Sequence, residues 1–104
     1  MGVQAVAVVT LDANGVAIPG VVGKLSTTSG SDLLLTIGND DGYDEFDRVP
    51  VPFVGEIRLQ ARDQAGHMYV QAISIPDIPE LTIRIGGVKS KPDDILLPAC
   101  APFA

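Results

Sequence analysis

Tryptophan is missing from this chain, cysteine occurs once, and seven basic residues stand against thirteen acidic ones. Each shortage removes a class of explanation. Cys100 alone cannot form an internal disulfide, so stability must come from an apolar core, and the redox compartment stays open. With a net charge of −6 and its Lys and Arg scattered, the chain lacks the clustered cations that displace phosphate counterions, which argues against nucleic acid as a partner. The same deficit disfavours an anionic membrane surface. No apolar run approaches the roughly 20 residues of a spanning helix, so no membrane partner is expected. Met1-Gly2-Val3-Gln4 has neither the basic n-region nor the small-residue cleavage site of a secretory leader, and no targeting signal is read in the chain.

What the chain has in abundance is glycine and proline, 11 and 8 residues, set at intervals between short apolar runs. That spacing is the mark of tight turns between short strands. At 104 residues and 46% hydrophobic, the chain is one domain's worth, able to bury roughly two-thirds of its unfolded surface. Seven strands are predicted: Val3–Thr10, Val21–Thr27, Leu33–Ile37, Tyr43–Val49, Glu56–Ala61, Met68–Ile75 and Leu81–Ile85. Asn14-Gly15 reads as a tight hairpin turn using positive φ angles. Pro50 and Pro52 imply an extended connection there rather than a central strand. No 3.6-residue period persists, so the expected class is all-β, a seven-stranded antiparallel sandwich. Its expected core includes Val6, Val8, Leu35, Phe46, Leu59 and Ile83. The domain is drawn over residues 1–87. Residues 88–104, with Pro92, Pro98 and Pro102 and only Ile95-Leu96-Leu97 as a possible strand, read as a linker or surface-hugging tail.

Two stretches carry a family resemblance. Asp12-Ala13-Asn14-Gly15-Val16-Ala17-Ile18-Pro19-Gly20-Val21 resembles the opening of the carboxypeptidase regulatory-like domains, a branch of the prealbumin-like (transthyretin-like) sandwiches of carbohydrate-binding-like fold. Asp41-Gly42-Tyr43-Asp44-Glu45-Phe46-Asp47-Arg48-Val49-Pro50 is similar to that family's central signature, with Gly55-Glu56-Ile57-Arg58-Leu59 in place of its following strand. Asp44 stands where an aromatic is common, and residues around Val51-Pro52-Phe53 lengthen the turn. The resemblance implies a Greek-key sandwich and an accessory role, since such domains are non-catalytic modules of enzymes, receptors and surface proteins. It carries over no site residues.

Few residues could carry chemistry. Asp40, Asp41 and Asp44 lie in the one dense acidic stretch, yet their spacing departs from the D-x-D-x-D-G loop that holds calcium, so neither metal nor other cofactor is expected. His67 is the only histidine, Cys100 has no local histidine, and Ser26–Ser31 lacks a base and a G-x-S-x-G elbow, so no enzyme activity is expected. Flat rings are the usual contact for a sugar's C–H face. Tyr43 and Phe53, with Pro52 stiffening the turn between strands, are the candidates for a ligand or partner surface, the alternative being that each ring packs inward, Phe53 as a plug at the open end of the sandwich. The expected function is a non-catalytic spacer, docking unit or weak carbohydrate-binding module of a larger extracellular or virion-associated protein. Its partners would be a neighbouring domain of the same polypeptide, another protein, or a polysaccharide. The alternative is a self-assembling structural protein, such as a phage capsid decoration or fibre subunit.

Overall fold

Period-two alternation carries through to the backbone. The computed structural model describes residues 2–12, 14–18, 21–27, 32–36, 42–60 and 69–98, with backbone alone for 32–36 and 44, and these residues contain strands and turns but no helix. β1 (Gly2–Thr10), β2 (Val22–Thr27), β3 (Asp32–Thr36), β4 (Tyr43–Val51), β5 (Phe53–Gln60), β6 (Tyr69–Ile75) and β7 (Thr82–Ile85) answer to the seven predicted runs, and a short β8 (Ile95–Leu97) follows. They form two four-stranded sheets, ordered β4-β1-β7-β8 and β3-β2-β5-β6. One apolar cluster joins Val6, Val8, Phe46 and Ile83 of the first sheet to Leu25, Ile57, Leu59 and Ile75 of the second. Each side chain buried this fully contributes about 1.5–3 kcal/mol relative to an exposed position. Five of the six expected core residues are therefore core, and the side chain of Leu35 lies outside the described residues.

Strand direction departs from the expectation. β1 pairs β7 in parallel, from Ala7↔Thr82 to Thr10↔Ile85, and β7 pairs β8 in parallel, so the first sheet is mixed rather than antiparallel. Alternation settles which face of a strand is buried but carries no information about its direction. After the β5–β6 hairpin in the opposite sheet, the chain comes back to β1 from the end at which β1 itself began.

Pro50 and Pro52 also behave differently from the expected connection. Pro50 lies within β4, the Val51–Pro52 bond is cis, and β5 resumes at Phe53. β4 is an edge strand, the one kind of strand where a missing N–H is readily tolerated. Both prolines occupy outward positions, while Val49, Val51, Phe53, Ile57 and Leu59 keep one unbroken inward phase. A β-bulge sits just upstream. Gln4 pairs with Val49 and Val6 with Phe46, so Asp47 and Arg48 together stand opposite Ala5 and both face outward. Without that extra residue, Phe46 and Val49 could not both point inward.

The Asn14-Gly15 turn is tight but wider than a two-residue hairpin. Asp12 and Val16 pair, Gly15 N–H donates to the Asp12 carbonyl at 3.0 Å, and among the described residues of the turn only Gly15 has positive φ, at 79°. Asp12 explains the choice. Its Oδ1 accepts the N–H groups of Asn14 at 2.8 Å and Val16 at 2.9 Å, so its carboxylate closes the loop.

The division drawn at residue 87 falls between two strands of one sheet. Residues 88–98 lie against the domain: Leu97 is buried, Gly86 N–H donates to its carbonyl at 3.1 Å, and Asp94 is buried to 4% exposure. Residues 99–104 lie outside the described residues.

Candidate functional site

Tyr43, Pro52 and Phe53 do not form one surface. Tyr43 pairs with Val9 and Val51 with Gly2, at opposite ends of the β1–β4 ladder, which at ~3.3 Å per residue separates Tyr43 from Pro52 by roughly 25–30 Å. Phe53 is only 3% exposed and belongs to the core cluster. Its burial follows from phase, because Phe53 sits in step with Val51, Ile57 and Leu59. Pro52 is exposed, but at the far end from Tyr43. Of the three, Tyr43 alone combines a ring with a concave setting. Asp40, Asp41, His67 and Cys100, and the side chain of Asp44, lie outside the described residues. Among the described residues, no three His, Cys, Asp or Glu side chains gather closely enough to hold a metal ion.

Tyr43 walls a groove of about 470 Å³ on the outer face of the first sheet. The groove is built from alternation. Val6 and Val8 point inward, so Ala5 and Ala7 point outward from a strand in the middle of the sheet and make a low floor. Across that floor, Ala7 is flanked by Glu45 of β4 and Thr82 of β7, its two ladder partners. Gly42 delivers Tyr43 to this position. It adopts φ 68°, and a Cβ there would stand 2.6 Å from the Thr10 carbonyl oxygen, so only glycine lets β4 start this close to β1. Thr10 answers with its N–H donated to the Gly42 carbonyl at 2.8 Å and its hydroxyl donated to the same oxygen at 3.2 Å.

The opposite wall is the Pro79–Leu81 turn that leads into β7. Gln4 Nε2 donates to the Ile78 carbonyl at 2.7 Å and Ala7 N–H to the Leu81 carbonyl at 3.1 Å, which tie the turn to the floor strand. Glu80, at the rim, is the one non-glycine among the described residues with positive φ, 60°. Such backbone strain, of order 1–3 kcal/mol, persists where surrounding contacts hold it. Lys91 closes the rim from the loop after β7. That loop is folded by Asp94, whose Oδ2 accepts the N–H of Ser90 at 2.8 Å and of Lys91 at 3.0 Å.

The result is an apolar floor with an aromatic wall and a rim that carries two carboxylates, one ammonium and a hydroxyl. This arrangement can hold a ligand that offers a flat apolar face and several hydroxyl or amide groups at its edges. Sequence reasoning reached Tyr43 but not its surroundings. The available signal was Ala5 and Ala7, two small residues on the same face of a valine-rich strand. No protein family, curated protein or solved structure matches the chain.

Proposed function

We propose that this chain is a non-catalytic accessory module of a larger extracellular or virion-associated protein, folded as a prealbumin-like Greek-key sandwich and binding a neutral polysaccharide or protein partner through the Tyr43 groove. The groove carries the reading: its small floor, aromatic wall and mixed polar rim suit weak recognition of a sugar face. Strand order supports the sandwich, since the chain changes sheets between β1 and β2, on either side of β4, and again between β6 and β7. β1, β7 and β8 run parallel to one another in one sheet. β1 begins at one end of its sheet and β8 finishes at the other, so the module would also act as a spacer.

Affinity electrophoresis through gels containing soluble starch, xylan or hydroxyethyl cellulose tests the binding. Retarded wild-type migration is expected with at least one of these polymers, abolished by Tyr43→Ala and by Ala7→Phe, which fills the floor. Unretarded migration in all three, or retardation that both substitutions leave intact, would remove the groove from the account.

A further inference from the structure

Two four-stranded sheets present four edges, and the chain treats them unequally. β4 is obstructed by the bulge at Asp47–Arg48 and by Pro50. β8 is three residues long, and β3 is five residues long and opens on Asp32. β6 has none of these devices. Its seven residues, Tyr69 to Ile75, include no charge, proline or glycine, and its ladder with β5 runs in unbroken register from Leu59↔Tyr69 to Phe53↔Ile75. Among the described residues, β5 is its only ladder partner. A regular, uncharged edge of this kind is a template for another strand.

We propose that β6 pairs antiparallel with β6 of a second copy of this chain, making one continuous eight-stranded sheet from two. The charge distribution selects a second copy as occupant. A chain of net charge −6 repels its own kind, so a contact between copies is favoured where no like charges are brought together. The outward side chains of β6, Val70, Ala72 and Ser74, are uncharged. Among the described residues, the nearest charges on that face, Glu56 and Arg58 of β5, pair with each other at 3.2 Å. A two-fold axis at Ala72 sets Ala72 opposite its own copy and Val70 opposite Ser74, so the strand is self-complementary in shape and charge. The contact is isologous, and with the other edges obstructed or short, assembly closes at the dimer. The inference goes beyond the groove reading, since β6 belongs to the other sheet and the two can fail separately.

Light scattering on the full chain across a wide concentration range tests it. Wild type is expected to approach twice the chain mass as concentration rises. Ala72→Lys and Ala72→Glu each place like charges across the two-fold axis and should hold the chain at single mass, while their equimolar mixture should recover the two-chain mass. The double variants Val70→Lys/Ser74→Lys and Val70→Glu/Ser74→Glu, each held at single mass alone and recovering the two-chain mass when mixed, give the same readout if either position-72 variant melts below wild type. A wild type that stays single throughout would overturn the proposal, as would an Ala72→Lys chain that dimerises like wild type or well-folded Lys and Glu variants whose mixture stays single.

Discussion

The hydroxyl of Tyr69, at the start of β6, donates to the carbonyl oxygen of Pro98 at 2.8 Å, bridging the second sheet to the chain just after β8 of the first. It ties together strands that share no ladder. Tyr69→Phe keeps the buried ring and deletes the donor. Because Pro98 is exposed, water can take the place of the hydroxyl at its carbonyl. The expected loss is therefore at the modest end of the usual 0.5–1.5 kcal/mol for one hydrogen bond, about 0.5–1 kcal/mol by urea unfolding. A loss above about 2 kcal/mol would mean that the tie does more than hold the chain end.

Asp94 makes the docking of residues 88–98 dependent on pH. Burial by itself would raise its carboxyl, but the N–H groups of Lys91 and Ser90, aided by the charges of Arg84 and Lys91, outweigh that and hold it below the ordinary carboxylate range. A carboxyl depressed in the folded state contributes stability that is fully present above its unfolded value, about 3.9, and is lost as pH falls through the lower folded value. Asp94→Asn should destabilise the chain at pH 7, and the gap from wild type should close as pH drops below about 4. Urea midpoints at pH 7 and pH 3 check this. A gap that widens on acidification would reverse the sign.

Gly55 is a position where close approach excludes a side chain. A Cβ there would collide with the backbone carbonyl oxygen of Ser26 on β2 and lie 3.0 Å from Cζ of Phe53 on its own strand. The obstructing atom is backbone within the Thr27↔Gly55 end of the β2–β5 ladder, so it cannot swing aside as a side-chain tip would. Gly55→Ala should cost about 1–3 kcal/mol or more, the range for forcing extra volume into packed structure. A neutral result in thermal unfolding would mean that β2 and β5 part here without cost.

How much of this was legible in the sequence depended on the kind of information required. The seven strands followed from short apolar runs bounded by Gly, Pro and Asn turns, and the inward residues Val6, Val8, Phe46, Leu59 and Ile83 were within reach because burial of one face is written locally. The bulge was legible too, though unread: Phe46 and Val49 are three apart in a strand whose inward residues otherwise fall two apart. The direction of β7 was not legible, since parallel pairing with β1 joins Ala7 to Thr82, and nothing local encodes that partnership. Pro50 and Pro52 misled for a related reason. Their cost depends on whether β4 lies at an edge or in the middle of a sheet, which is set by the whole topology. The groove depended on the same long-range pairing, because Ala5 and Ala7 become a floor only once Glu45 and Thr82 stand beside them.

The last prediction separates Phe53 from Tyr43, two rings that looked equivalent in the sequence. Phe53 is 3% exposed and Tyr43 45% exposed, so one serves the core and the other the groove. Phe53→Ala removes a ring from among packed neighbours that can only partly collapse, and it also uncovers Gly55, against which the ring lies. The expected cost is about 3–5 kcal/mol. Tyr43→Ala removes a half-exposed ring at the start of an edge strand, and a surface change of that kind should shift stability by about 0.5 kcal/mol or less. The two should therefore cross over: Phe53→Ala loses stability and, under conditions where it remains folded, keeps polysaccharide retardation, while Tyr43→Ala keeps stability and loses retardation. Thermal unfolding and affinity electrophoresis on the same samples read both axes. A Tyr43→Ala chain that unfolds as readily as Phe53→Ala would make Tyr43 a structural residue, and any loss of retardation would then report unfolding instead of a missing contact.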